Sequence, residues 1–348
     1  MFHLSSLQWL LNALTLLIAF PAGTSAGHSL WEFKPMEARN KTFHFEHKRA
    51  HWIRPSPSSL TWPDKTIKYC YENSAARTKY DSNVKAAFAL WTAAGLPVEY
   101  KMSLSSTLVC KAGINRKNHL MIKDTGALST TPGLQRDDTE GPVMHLADDT
   151  SIGSLDVVAN IAHEIGHAWG LLHPHQISTY YTEPMGTNPF ESLLQFNCHN
   201  LKDYDKFVEI GISAGDPSYI NGVCTDYAKA MEAGFSAMEF TTMGGYGNHD
   251  QAVPDASLID WDSIMWYPSG AGGKGSASPG NDQRLPVLQR LQNGVATNIP
   301  IRLVPSQGDV QAIKALYNQN EKKNTPTLYN DPKSSHFRKF LGLKSSCK

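Results

Sequence analysis

Apolar residues first gather in one unbroken run, Leu7 to Phe20 (LQWLLNALTLLIAF), and take on a period only from Thr66 onward. The run is shorter than the roughly 20 apolar residues that a bilayer span requires. Thr24-Ser25-Ala26 follows it, with small residues at −3 and −1, so residues 1–26 read as a secretory signal peptide cleaved after Ala26. Residues 27–60 are polar and aromatic without a period and read as a leader arm or short propeptide. They hold the sequon Asn40-Lys41-Thr42 and the dibasic pair Lys48-Arg49, which reads equally as a processing site or as a solvated charge pair.

Beyond residue 60 the pattern predicts alternating elements. Thr66 to Tyr71 (TIKYCY) alternates and is rich in β-formers, as a strand does. Val84, Phe88 and Trp91 mark one face of a helix capped by Asp81 or Ser82 and ended by Gly95. Val98–Met102, His119–Lys123 and Gly141–Leu146 read as further strands, and about Ser154 to Leu172 as a second helix. The order predicts an α+β fold, a mixed sheet with helices packed on it. From about Ile177 to Pro254 the chain is Gly, Asn and Tyr rich, an insertion with short helices near 201–211 and 223–233. Residues 268–282 (PSGAGGKGSASPGND) predict a flexible loop. Ser306-Gln307-Gly308-Asp309 opens a last helix with a capping-box pattern, Asp standing for the usual Glu. After Tyr317 the chain turns Lys, Asn and Ser rich, and residues 321–348 read as a flexible tail.

Composition changes this picture little. The chain has 348 residues, and its 32 Lys+Arg balance its 32 Asp+Glu, so nothing points to nucleic acid or, once the signal is removed, to a membrane. A monomer is expected. The five cysteines change it more. In an oxidising compartment, pairing neighbours along the chain gives Cys70–Cys110 and Cys198–Cys224 and leaves Cys347 over, with other pairings open. No Cys-x-x-Cys spacing offers a cysteine metal site.

The chemistry concentrates in HEIGHAWGLLHPH, His163 to His175. His163 and His167, four apart, fall on one face of a helix one turn apart, with Cβ atoms about 5–6 Å from each other. That spacing suits two ligands of one tetrahedral ion. Glu164, next to the first, takes the general-base place of His-Glu-x-x-His. On a continuous helix His173 would lie about 15 Å beyond His163. The helix must therefore break, and Gly170 is the residue able to take a left-handed conformation and turn the chain back. His175 falls outside the spacing and reads as a bystander or cleft-rim residue; Gly166 and Trp169 read as packing positions.

Ser263-Ile264-Met265-Trp266-Tyr267 follows, with Met265 lying 92 residues after His173. The long histidine motif followed by SIMWY resembles the metzincins, zinc endopeptidases whose motif is followed by a Met-turn. The resemblance implies a metzincin-type zincin over residues 61–320. Its N-terminal subdomain would run to about residue 173, with a C-terminal subdomain and its insertion across a cleft. It implies one catalytic Zn2+ on His163, His167 and His173, a hydrophobic base at Met265, and a role for Tyr267 as both extra ligand and oxyanion stabiliser. It also implies that Gly141–Leu146 is the sheet edge pairing with an extended substrate.

The residue after the third histidine is Pro174, where astacins have Glu and matrixins Ser; serralysins have Pro, but their Gly-Asp-rich repeats are absent here. Residues 27–63 contain neither Cys nor Asp for a switch propeptide. The chain is therefore most similar to an outlying astacin-like or serralysin-like member. The expected function is a secreted, extracellular zinc-dependent endopeptidase hydrolysing protein or peptide substrates by a zinc-activated water. The alternative is a secreted binding or effector protein on the same scaffold without turnover, against which an intact Glu164 argues.

Overall fold

The computed structural model describes residues 31–32, 61–134, 141–176, 193–241 and 259–324. The expected signal peptide, the sequon, Lys48-Arg49 and Cys347 lie outside them. The elements in chain order are β1 (Trp31–Glu32), β2 (Thr66–Tyr71), α1 (Ser74–Ala93), β3 (Lys101–Leu104), α2 (Thr107–Lys111), α3 (Gly113–Arg116), β4 (Leu120–Asp124), β5 (Leu128–Thr130), β6 (Val143–Leu146) and α4 (Val157–Trp169). They continue with β7 (Leu194–Phe196), α5 (Tyr204–Ser213), α6 (Tyr219–Thr225), α7 (Tyr227–Ala233), β8 (Ala277–Ser278), β9 (Asn281–Asp282), β10 (Leu288–Gln292), β11 (Val295–Asn298) and α8 (Gln307–Asn324). The class is α+β, as expected.

The main sheet has six strands in the order β1-β5-β6-β4-β2-β3. It is mixed: β3, β2, β4 and β6 run parallel, β5 is antiparallel to β6, and β1 pairs parallel with β5. This corrects the expectation for Gly141–Leu146. The strand there, β6, lies between β4 and β5, so both its hydrogen-bonding edges are occupied within the sheet. The three-residue β5 is too short to show a period, and for that reason it escapes a reading by pattern.

Helix α1 begins earlier than Asp81 or Ser82 because Asn73 caps it, its side chain accepting from the Ala76 N–H at 2.9 Å. This extends the buried face to Ala76, Tyr80, Val84, Ala87 and Trp91, all at helical spacing. Strand β3 starts later than expected, at Lys101, and Val98 is 84% exposed, as a loop residue can be. Helix α4 starts at Val157 rather than Ser154, because Gly153 and Leu155 have positive φ (55° and 57°) and cannot continue a helix. Asp156 is its cap, accepting from Ala159 N–H at 2.8 Å.

Of residues 268–282, expected as a flexible loop, 268–273 pack into the core while 275–282 stay mostly exposed. Ser269 and Ala271 are buried, the Ser269 hydroxyl accepts from the Ile299 N–H at 2.8 Å, and the hairpin β8–β9 closes the segment. Strands β11, β10 and β7 form a second, antiparallel sheet. Both expected disulfides are present: Cys70–Cys110 joins β2 to α2, and Cys198–Cys224 joins the turn after β7 to α6. The last helix has the reciprocal cap that its sequence predicts, Ser306 N–H to Asp309 Oδ2 (2.8 Å) and Asp309 N–H to Ser306 Oγ (2.9 Å), and it runs past the expected end to Asn324. Among the described residues no helix is long and apolar enough to cross a membrane.

Candidate metal centre

Helix α4 is buried along almost its whole length, from Ala159 to Trp169. Two indoles fix it against its neighbours: Trp91 Nε1–H donates to the Ala162 carbonyl (2.9 Å) and Trp62 Nε1–H to the Ala168 carbonyl (2.7 Å). Gly170 ends the helix in the left-handed conformation (φ 104°, ψ 14°), its N–H bonding back to the last turn. The reversal that the spacing required is therefore present, and it brings His173 back to the helix. Pro174 opens a short 3-10 turn to Gln176, a position where a fixed φ and a missing N–H cost nothing.

The side chains of His163, His167 and His173 converge, with one ring nitrogen of each within 4.8 Å of the others. His173 Nε2 lies 3.0 Å from His163 Nε2 and 2.9 Å from His167 Nε2. The outer nitrogens decide the tautomers. His163 Nδ1 lies 2.8 Å from the Ile264 carbonyl and His167 Nδ1 2.8 Å from the Leu171 carbonyl. A carbonyl only accepts, so both Nδ1 atoms carry the proton and both Nε2 atoms present bare lone pairs. His173 Nε2 has at most one proton to give to the two of them, so lone pairs face one another at the point of convergence. A cation there resolves that conflict, and two neutral imidazoles with their outer N–H groups held by carbonyls are the form that ligates metal. A tetrahedral ion with Zn–N of ~2.0–2.1 Å sets nitrogen ligands about 3.3 Å apart, so a small outward shift of the rings admits one. Burial moves the same way, holding His163 and His173 well below the ordinary imidazole range and His167 down at about 4, all neutral at physiological pH.

Glu164 is fully buried beside this cluster, and neither carboxylate oxygen meets hydrogen-bond geometry with any described group. Burial pushes its carboxyl up to about 8; the Thr130 hydroxyl of β5 pulls it down slightly, without reaching hydrogen-bond geometry in these positions. A buried carboxyl group without a partner is costly. It is the orphaned group that a water molecule beside a cation would satisfy.

The segment Ser263–Tyr267 lies on the other side of α4. The Met265 sulfur packs against Gly166, where a Cβ would sit 2.5 Å from Sδ and 3.2 Å from Trp91 Cζ2. Gly166 is therefore the residue that lets the methionine and Trp91 approach the helix between the two histidines, which gives the packing position expected from the sequence a specific task. Asp309 holds the segment in place, accepting from the Ser263 hydroxyl (2.6 Å) and the Ile264 N–H (2.9 Å). Ile264 thus links the last helix to His163 through the N–H and C=O of a single residue. The Tyr267 ring is buried and stands edge-on to His173, centroids 4.5 Å apart.

His175 is not on a rim. It is fully buried, stacked on His173 at 5.0 Å, and its Nε2–H donates to the Glu239 carbonyl at 3.0 Å. Burial keeps it neutral, its pKa down at about 3. Glu239 itself, 2% exposed, accepts from the Tyr267 hydroxyl through Oε2 at 3.3 Å. Sequence reasoning missed this residue. It lies in the stretch without a readable period, 28 positions before Tyr267, and no motif marks it.

No family model matches the chain, and no curated protein does. Among solved structures, one described as the crystal structure of myroilysin aligns with 85% of this chain and 93% of its own, at 14% identity and a TM-score of 0.38. A second structure of myroilysin aligns with 74% and 96%, at 17% identity and a TM-score of 0.35. A third, the GM1-bound form of the ECX AB5 holotoxin, aligns with 40% and 63%, at 18% identity and a TM-score of 0.22. Superpositions as loose as these assign no family, so the site stands on its own geometry and on the motifs that compose it.

Proposed function

We propose that the chain is a secreted, metzincin-like zinc endopeptidase, similar to astacins or serralysins, acting on protein or peptide substrates. The observation that carries this reading is the juxtaposition of three converging, neutral, buried histidines, two of them on helix α4, with the unpartnered buried Glu164 carboxyl of that helix. Zinc, when bound, supplies Lewis-acid polarisation of a carbonyl and lowers the pKa of a water toward neutrality.

The remaining roles belong to the chain's own residues. His163, His167 and His173 would hold the ion, each turned inward by what its ring or loop is tied to. Glu164, whose carboxylate form a nearby divalent cation favours, takes a proton from the attacking water and delivers it to the leaving amine nitrogen. Tyr267 would serve as an extra ligand of the ion and, once its hydroxyl turns from Glu239 in the transition state, as a donor to the developing oxyanion. Met265 fills the space under the histidine pair and exposes no polar group there. Turnover distinguishes this from a non-hydrolytic effector on the same scaffold. The full-length secreted protein should clear casein in a zymogram, and a chelator should abolish the clearing. Clearing that persists in the chelator, or none in a zinc-replete sample, contradicts the reading.

A further inference from the structure

Two of the three histidines of the centre carry an acceptor on the far side of the ring. For His163 it is the Ile264 carbonyl and for His167 the Leu171 carbonyl, both at 2.8 Å. Such partners fix a ligand's tautomer and raise its basicity, and their loss typically costs about 10–100-fold in metal affinity. Tyr267 has the same arrangement with a stronger acceptor, since its hydroxyl donates to the buried Glu239 carboxylate.

The turn Ser236–Glu239 that carries this carboxylate is fixed independently of Tyr267. Asp203 accepts from the Ser236 N–H at 3.0 Å and from its hydroxyl at 2.5 Å. Phe235, Ala237 and Phe240 around it are fully buried. The Glu239 carbonyl accepts from His175 Nε2 at 3.0 Å and from Gln176 Nε2 at 3.4 Å. The loop that carries His173 and the turn that carries Glu239 are thus tied at one carbonyl. The Tyr267 ring is clamped as well, 4.4 Å from His175 and 5.5 Å from Phe240 between centroids. With ring and carboxylate both fixed, the hydroxyl proton has a built destination on Glu239.

We propose that Glu239 is the positioning residue of Tyr267: it accepts the hydroxyl's hydrogen bond and so presents the phenol oxygen as a metal ligand, as the two carbonyls do for His163 and His167. The inference rests on the reading of the three histidines as a metal site. It gives the otherwise unassigned 193–241 stretch a function at the centre, and His175 the task of seating the Glu239 turn.

The test loads metal-free, full-length protein with Cu(II), for which phenol ligation gives a tyrosine-to-copper charge-transfer band in the visible, and measures zinc affinity in parallel. Wild type should show the band, and Tyr267→Phe should lack it. Glu239→Ala should diminish it and weaken zinc binding about 10-fold or more. Glu239→Gln, whose amide oxygen can still accept, should stay near wild type. In a Tyr267→Phe background, Glu239→Ala should cost nothing further, which a merely structural role would not produce. A band of unchanged strength in Glu239→Ala, no band in wild type, or an equal zinc-affinity loss in both backgrounds overturns the inference alone. Failure of wild type to take up either metal overturns the metal reading and the inference with it.

Discussion

The two sides of the centre are built in opposite ways. On one side, residues 156–176 place every group by local geometry: a capped helix, a four-residue histidine spacing, a left-handed glycine and a Pro-initiated turn. On the other, Tyr267, Met265 and Glu239 arrive by contacts that span from 28 to more than 100 residues. Local geometry leaves a period in the sequence, because the same 3.6-residue repeat that shapes the helix also spaces its functional side chains. Long-range placement leaves none. The histidine side should therefore fail locally and completely when altered, whereas the opposite side should fail gradually and through its anchors.

The largest contrast is expected between two histidines two positions apart. His173→Ala should remove stoichiometric zinc, measured by elemental analysis of purified protein, and bring peptidase activity below detection. His175→Ala should retain the metal, with destabilisation from an emptied buried site. Equal zinc content in the two variants overturns the assignment of ligands.

A smaller effect tests how the two sides meet. Alanine ordinarily stabilises a helix interior over glycine by about 1 kcal/mol. At Gly166 the added Cβ meets the Met265 sulfur and the Trp91 ring, an overpacking that costs about 1–3 kcal/mol. Gly166→Ala should therefore lower stability in a denaturant titration and weaken zinc binding. A gain in stability would mean that the methionine does not pack against the helix as described.

A pH-dependent effect concerns the anchor of Ser263–Tyr267. Burial, with Asp260 nearby, raises the Asp309 carboxyl to about 6 despite the hydrogen bonds it accepts. An unfolded Asp titrates near its ordinary value of about 3.9. Between those values the folded state binds a proton that the unfolded state has released, so this group's contribution to stability is greatest below about pH 4 and is lost as pH rises through about 6. Wild type should consequently lose on the order of 2–3 kcal/mol more than Asp309→Asn between pH 4 and pH 7. Parallel stability profiles for the two proteins would remove Asp309 as a buried titrating anchor.

Much of the centre was legible beforehand, and the omissions share one cause. The helix, the histidines and Gly170 follow from spacing along the chain, and the two disulfides match neighbour pairing, one of several pairings the sequence allows. The two helix starts were misplaced where a cap or a backbone conformation decided the boundary: Asn73 caps α1 well before Asp81, and Leu155 with its positive φ delays α4. Strand β5 is three residues long and β6 is inside the sheet, facts that depend on pairing and not on pattern. The β10–β11 hairpin did carry a signal, the Asn293-Gly294 turn with positive φ at both residues. Glu239 carried none. A single acidic residue in a short 3-10 turn becomes meaningful only once Asp203, His175 and Tyr267 surround it.

The central claim is that Glu164 performs proton transfer beside a metal held by the three histidines. Its direct test is the paired measurement of zinc content and casein cleavage in Glu164→Gln. The account predicts unchanged zinc and a loss of turnover of several orders of magnitude. Cleavage at the wild-type rate with zinc in place would contradict it.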